Sequence, residues 1–333
     1  MVLDHILRSI LPASAAMRAA AEAAIARRLP HGESLGKLGA VAGQLAAARH
    51  TLRPQVSRRS VLVAAADHGV AFPGMRLGAE GPGAAALRLL AAGESAVSAA
   101  ARTAGAAQVL VDAGVRGGDR LELGASVLSF RLADGTAAIT EGPAMERAVA
   151  EAGLTTGIAL AVSLADGGLD LLALGQIGLG GEIAAGALIA AFTGAAPEAI
   201  AAEPQDAREI AIALAANRDA AAAAERDPVG ALAALGGLEI ALQVGVILAA
   251  ASIHVPVVLD DHGTWAAALV AARLAPDVAG YLLAAHAGSR PGYRRALAEL
   301  GLEPLFDLGL SHGEGTGALL AVPLIDAAAG VLA

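Results

Sequence analysis

Cysteine is missing from all 333 residues. That excludes disulfides, thiolate nucleophiles and Cys-ligated zinc, and it fits a reducing compartment, so a cytoplasmic protein is expected. Aromatic side chains are scarce, at 2%, although 56% of the residues are hydrophobic. The core must therefore be built from Leu, Val and Ile, with Ala and Gly letting helices pack closely. Positive charge is also short: 23 Lys and Arg stand against 32 Asp and Glu, for a net charge of -9. Such a surface repels phosphate backbones, and there is no basic stripe or aromatic platform, so no nucleic-acid partner is expected. A secretory leader is not expected either, because Asp4 and His5 stand where one would carry positive charge. The longest uncharged run, Ile240–Leu259, has the length of a membrane helix. Gly245 and Pro256 interrupt it, and a buried helix followed by the buried strand Val255–Leu259 is the better reading. No membrane role is expected.

What the chain does have is alternation. Short β-rich runs each end in Asp, His or Gly: Val61–Ala66, Val109–Val111, Leu169–Leu174, Val255–Leu259 and Tyr281–Ala285, with Pro304–Leu308 a further strand. Ala-rich helical stretches lie between them. This order predicts an α/β fold, a parallel sheet with helices on both faces. Ligands of such sheets bind at the carboxyl ends of the strands, so the polar strand endings matter together. Both ends of the chain read as helical, Leu3–Arg28 and Ala318–Leu332. A chain this long is expected to add a small unit to its main core. We expect a small helical domain from residues 1–50 and 318–333 and a large domain over 51–317. Ala195–Arg226 reads as surface helix or as a poorly specified excursion.

Four segments carry candidate chemistry. In the run Leu308–Ala318, Gly313, Gly315 and Gly317 bracket Glu314 and Thr316. Backbone amides can approach an anion closely there, and the carboxylate can meet a substrate, although a Gly-rich helix entry with a solvated Glu is the plainer alternative. In Leu172–Ala185, a strand runs through Gly175, Gln176, Gly178 and Gly180 into a helix, a geometry suited to an anion at a helix N-terminus. It matches neither the dinucleotide fingerprint nor the P-loop, and a tight strand–helix turn explains it equally. Asp67 and His68 close the first strand and could hold a base or a metal, but alone they are too few ligands, and a loop-stabilising Asp with a hydrogen-bonded His is the plainer reading. Asp260, Asp261 and His262 form a similar turn, whose plain reading is a solvated loop.

Taken in order, these segments resemble the nicotinate-nucleotide:dimethylbenzimidazole phosphoribosyltransferase family. The resemblance runs through Pro30, Gly32 and Ser34–Leu38, Ala66–Val70, Val111–Val115, Pro143–Met145, Asp170–Gly180, Leu235–Ile240 and Tyr281–Leu324. Gly313-Glu-Gly-Thr-Gly-Ala318 is its most specific element. The resemblance implies a Rossmann-like parallel sheet, a small helical domain from both termini and a homodimer, with a heterodimer with a paralogue as the alternative. It implies transfer of phosphoribose from nicotinate mononucleotide to a benzimidazole-type base, without metal or cofactor. Glu314 would be the catalytic base. Asp67, His68, Gly175, Gln176, Gly178, Gly180, Asp260, His286, Gly313, Gly315 and Thr316 would bind substrate.

Several positions depart from the family. Gln176 stands for Glu, Gly181-Glu-Ile183 for Asn-Thr-Thr, Asp260-Asp-His262 for Asp-Gly-Phe, and Gly288-Ser-Arg-Pro291 for Ser-x-Glu-Pro; a Gly-Arg-Gly-Thr-Gly segment is missing or shortened around Ala201–Arg208. Arg76, Arg290, His262 and His312 are candidate replacement cations. An altered base or donor specificity, or a non-catalytic paralogue acting as a binding or partner subunit, is therefore the alternative to the enzyme.

Overall fold

The computed structural model describes residues 2–29, 31, 33–71, 81–117 and 122–333. Pro30, Gly32 and Arg76 lie outside the described residues. Seven parallel strands form one sheet: β1 (Arg59–Ala66), β2 (Ala107–Gly114), β3 (Val127–Ser129), β4 (Leu171–Ile177), β5 (Val257–Leu259), β6 (Leu282–His286) and β7 (Pro304–Phe306). Their order is β3-β2-β1-β4-β5-β6-β7. The chain therefore builds outward from β1 in one direction, then returns to β1's other side and builds in the opposite direction. The reversal lies between β1 and β4, which pair from Arg59↔Leu171 through Ala65↔Ile177; in such sheets ligands bind at the carboxyl ends near this switch point.

Strand β1 shows why both faces of the sheet are covered. Leu62, Ala64 and Ala66 point into one apolar cluster, while Val61, Val63 and Ala65 point into the other. Successive side chains in a strand face opposite ways, so a continuous apolar run needs helices above and below. The first face is covered by helices Arg147–Asp166, Gly181–Thr193, Pro228–Leu235, Leu238–Ser252 and His262–Leu274. The second is covered by Ala15–Ala26, Lys37–Ala48, Pro82–Ala91, Ala96–Ala104, Thr316–Leu320 and Val322–Leu332.

The terminal helices differ from the sequence reading in one respect. Each expected helix is two. Pro12 separates Val2–Ser9 from Ala15–Ala26, and Ser14 caps the second by accepting a hydrogen bond from the Met17 amide (3.2 Å). Near the C-terminus, Pro323 opens Val322–Leu332 just after Thr316–Leu320 ends. The Arg28 guanidinium donates to the carbonyls of Val331 and Ala333, which ties the two ends of the chain together.

The uncharged run Ile240–Leu259 is the buried helix and strand expected. Two other stretches, Pro82–Ala104 and Arg147–Asp166, are long and apolar enough by composition to cross a membrane. The first is divided here into two helices. The second lies against Leu238–Ser252 so closely that a Cβ on Gly157 would sit 1.9 Å from the Leu242 carbonyl oxygen.

Candidate active site

The ends of β1, β4, β5 and β6 bring Asp67, Gly175, Asp260 and His286 to one edge of the sheet. Glu314 joins them through backbone contact. A Cβ on Gly175 would lie 2.1 Å from the Glu314 carbonyl carbon, so only glycine lets β4 and the 313–318 loop touch.

Two adjacent carboxylates at the end of β5 hold that loop. Asp260, fully buried, accepts hydrogen bonds from the Gly315 amide (2.8 Å) and the Ala318 amide (3.0 Å). His286 supports it: the Gly288 amide donates to His286 Nδ1 (3.0 Å), leaving Nε2 as the protonated nitrogen, which donates to Asp260 Oδ1 (3.0 Å). Asp261 Oδ2 accepts from the amides of Gln176 (3.0 Å) and Glu314 (3.3 Å), while its Oδ1 caps the helix His262–Leu274 through the Thr264 amide (3.0 Å). The turn is thus buried, against its plain reading as a solvated loop: loop amides 53 to 58 residues downstream in the chain replace water around both carboxylates.

In front of this support lies a cavity of about 190 Å³. Its walls are Gln176, Gly178 and Glu182 from β4 and the following helix, Asp261 and His262 from β5, Arg290 and Tyr293, and Ser311–Glu314. Glu314 is half-buried, and burial pushes its acid above the usual range, with Asp260 adding to the rise. His312, with Nε2 3.5 Å from Glu314 Oε2, pulls the other way. Burial and the Asp260 charge push the Asp261 acid up to about 8, against the amides that favour its ionised form. Burial drives His262 down to about 3, with Arg290 adding to the fall, so the imidazole is neutral. His262 is therefore not the replacement cation expected for that position. Arg290 and His312 do line the cavity, with Arg290 3.7 Å from Asp206.

Of the sequence-selected residues, Gln176, Gly178, Gly313 and Glu314 line the cavity, while Gly175, Asp260, His286, Gly315 and Thr316 build the loop behind it. Gly180 stands at the N-terminal end of the helix Gly181–Thr193. Asp67 and His68 stand at the same sheet edge but do not line the cavity; the His68 ring packs behind Gly178, where a Cβ would lie 3.1 Å from His68 Cδ2. The Asp67 carboxylate accepts from the amides of Gly83 (3.2 Å) and Arg116 (2.8 Å), and its carbonyl accepts from Thr136 (3.0 Å). It cross-links three segments at the end of β1. His68 is buried with Nε2 2.9 Å from Glu239; burial opposes its charge, but Glu239 outweighs burial and raises its pKa. Neither side chain faces the cavity in this geometry.

Glu182, Asp261, Tyr293 and Ser311 were missed as site residues. Asp261 had a local signal, since Asp three residues before Thr264 is a capping pattern, but its long-range contacts had none. Among the described residues, no three His, Asp or Glu side chains are arranged to hold a metal ion.

A phosphoribosyltransferase family model matches residues 10–333. The chain belongs to that family. The nicotinate-nucleotide–dimethylbenzimidazole phosphoribosyltransferase of Syntrophobacter fumaroxidans is 37% identical over 341 residues, covering 99% of this chain and 95% of that protein. The protein of the same name from a Roseiflexus species is 38% identical, covering 94% of this chain and 91% of the relative. The crystal structure of nicotinate-nucleotide-dimethylbenzimidazole phosphoribosyltransferase from Thermus thermophilus superposes with a TM-score of 0.86 at 35% identity, covering 96% of both chains.

Proposed function

We propose that this phosphoribosyltransferase moves phosphoribose from nicotinate mononucleotide to a benzimidazole-type base, the reaction that supplies the nucleotide of the cobalamin lower ligand. The observation that carries the reading is Glu314, held half-buried on a cavity wall by Asp260 and Asp261 with its pKa raised. One ring nitrogen of the base attacks the anomeric carbon as the bond to nicotinate breaks. The nicotinate ring nitrogen regains neutrality on leaving, so it needs no proton. The attacking azole must lose the proton on its other nitrogen, and the Glu314 carboxylate takes it. A raised pKa makes Glu314 a stronger base than an exposed glutamate while leaving it ionised at higher pH. Arg290 and His312 line the same cavity and supply donors for the anionic groups of the nucleotide.

The non-catalytic alternative is not favoured. Nearly full-length relatives carry the enzyme name, and the carboxylate loop is intact. The residues behind the wall, Gly175, Asp260, His286, Gly315 and Thr316, act here by shaping the loop, and Asp67 and His68 by fixing the neighbouring strand end. The purified protein, incubated with nicotinate mononucleotide and dimethylbenzimidazole, should release nicotinate and form the base's nucleotide in equal amounts. Folded protein that forms no product with this or related bases would sink the reading.

We also place the protein in the cytoplasm, consistent with the absence of Cys, and treat the tied terminal helices as the small helical unit. The protein works as a homodimer through apolar helical surface, since Leu320 and Leu324 stay exposed on the C-terminal helices. A monomer in sedimentation at micromolar concentration would contradict the dimer.

A further inference from the structure

We propose that Asp261 is a positioning residue for Glu314, holding the catalytic carboxylate's backbone in a conformation it would otherwise leave. The proposal rests on the reading of Glu314 as the base. Glu314 has φ 66°, in the left-handed region that side-chain-bearing residues avoid, and its neighbour Gly315 has φ 95°. A residue in that region persists only when its surroundings over-determine it. Asp260 fixes the loop beyond Glu314, at the amides of Gly315 and Ala318. It does not touch the Glu314 amide. That amide donates to Asp261 Oδ2, and the same oxygen takes the Gln176 amide from the end of β4. One oxygen thus joins the sheet edge to the peptide that carries the base.

Asp261 is itself held rigidly. Its Oδ1 accepts from the Thr264 amide, its carbonyl accepts from the Thr264 hydroxyl (2.8 Å), and that hydroxyl accepts from the Asp260 amide (3.1 Å). The side chain is 5% exposed and opens a helix whose first eleven residues are buried. The loop also presses on it directly: a Cβ on Gly313 would lie 2.7 Å from the Asp261 Cβ. Asp261 also lines the cavity, but both its oxygens are engaged by backbone amides. Its effect on the reaction runs through where Glu314 points.

The test measures kcat and KM for both substrates in the unmutated protein, Asp261→Asn, Glu314→Gln and the double variant. Asparagine keeps the shape, but its amide nitrogen cannot accept the Glu314 and Gln176 hydrogens if it occupies the Oδ2 position. We expect Asp261→Asn to lower kcat about 10- to 100-fold, the scale of a misplacement near 1 Å, with both KM values nearly unchanged. In the Glu314→Gln background it should cost little more, because the group it positions is already gone. A kcat near that of the unmutated protein, or a loss confined to KM, would overturn the proposal. So would a loss that multiplies fully with that of Glu314→Gln. Should Glu314→Gln alone retain full turnover, the assignment of the base fails, which is a separate result. Gly313→Ala gives an independent route if Asp261→Asn does not fold. It presses a methyl group on Asp261 while keeping every charge, and should reproduce the drop in kcat; an unchanged kcat would count against the proposal.

Discussion

The role proposed for Glu314 requires an ionised carboxylate, so its environment should set the acid side of the pH profile. Burial raises its pKa and His312 lowers it. Activity should therefore be lost as pH falls through a value above the ordinary glutamate range. His312→Ala removes the lowering influence, and the acid limb of the kcat profile should move to higher pH. A limb that stays still or moves down would show that His312 does not act on Glu314 as the 3.5 Å separation implies. At this scale the sequence was legible where a residue carried its own motif, as Glu314 does between glycines. It was not legible where a polar pattern hid a buried role. Asp260, Asp261 and His262 read as a solvated turn because nothing local announces the amides of 314, 315 and 318 that replace water. His262 is a candidate cation in the sequence and a neutral imidazole in the fold, because it is buried beside Arg290 without the acidic partner that raises the pKa of the equally buried His68.

Helices Arg147–Asp166 and Leu238–Ser252 cross with backbones nearly in contact. A Cβ on Gly157 would meet the Leu242 oxygen at 1.9 Å, and one on Gly245 would meet the Leu154 oxygen at 2.0 Å. Neither neighbour is a flexible side-chain end, so the helices themselves must separate. Gly157→Ala should destabilise the protein by about 1–3 kcal/mol, the usual range for overpacking, and lower the melting temperature. An unchanged melting temperature would mean that the crossing is looser than it looks. The strands were readable as elements because each is a short apolar run before a polar ending. Strand β3 was not: Val127–Ser129 is three residues, mostly exposed at the sheet edge, with too little apolar sequence to mark it. The terminal helices were recognised by apolar spacing, but their breaks at Pro12 and Pro323 were passed over.

Across the whole molecule, the carboxyl edge of the sheet holds the chemistry and the amino edge holds an ion-pair anchor. Asp170, 1% exposed, receives Arg58 Nη2 (3.0 Å), the Arg58 amide (3.0 Å) and, at 3.4 Å, Arg49 Nη2. Burial alone would raise its pKa, but the Arg58 contacts outweigh it and hold the carboxyl below the usual range. A carboxyl with a lowered folded-state pKa adds stability above its unfolded pKa and loses it as pH falls through the folded value. Asp170→Asn should therefore be less stable at neutral pH, with the difference from the unmutated protein shrinking under strongly acidic conditions. A pH-independent difference would indicate lost packing instead. At the opposite edge, Glu314 is the residue proposed to take the proton from the attacking base. That role is tested most directly by comparing the unmutated protein with Glu314→Gln for turnover and, by calorimetry, for binding of nicotinate mononucleotide. With Glu314→Gln, kcat should fall about 10²–10⁴-fold, as for removal of a general base, while binding and folding are preserved. Turnover by Glu314→Gln at the unmutated rate would contradict that role.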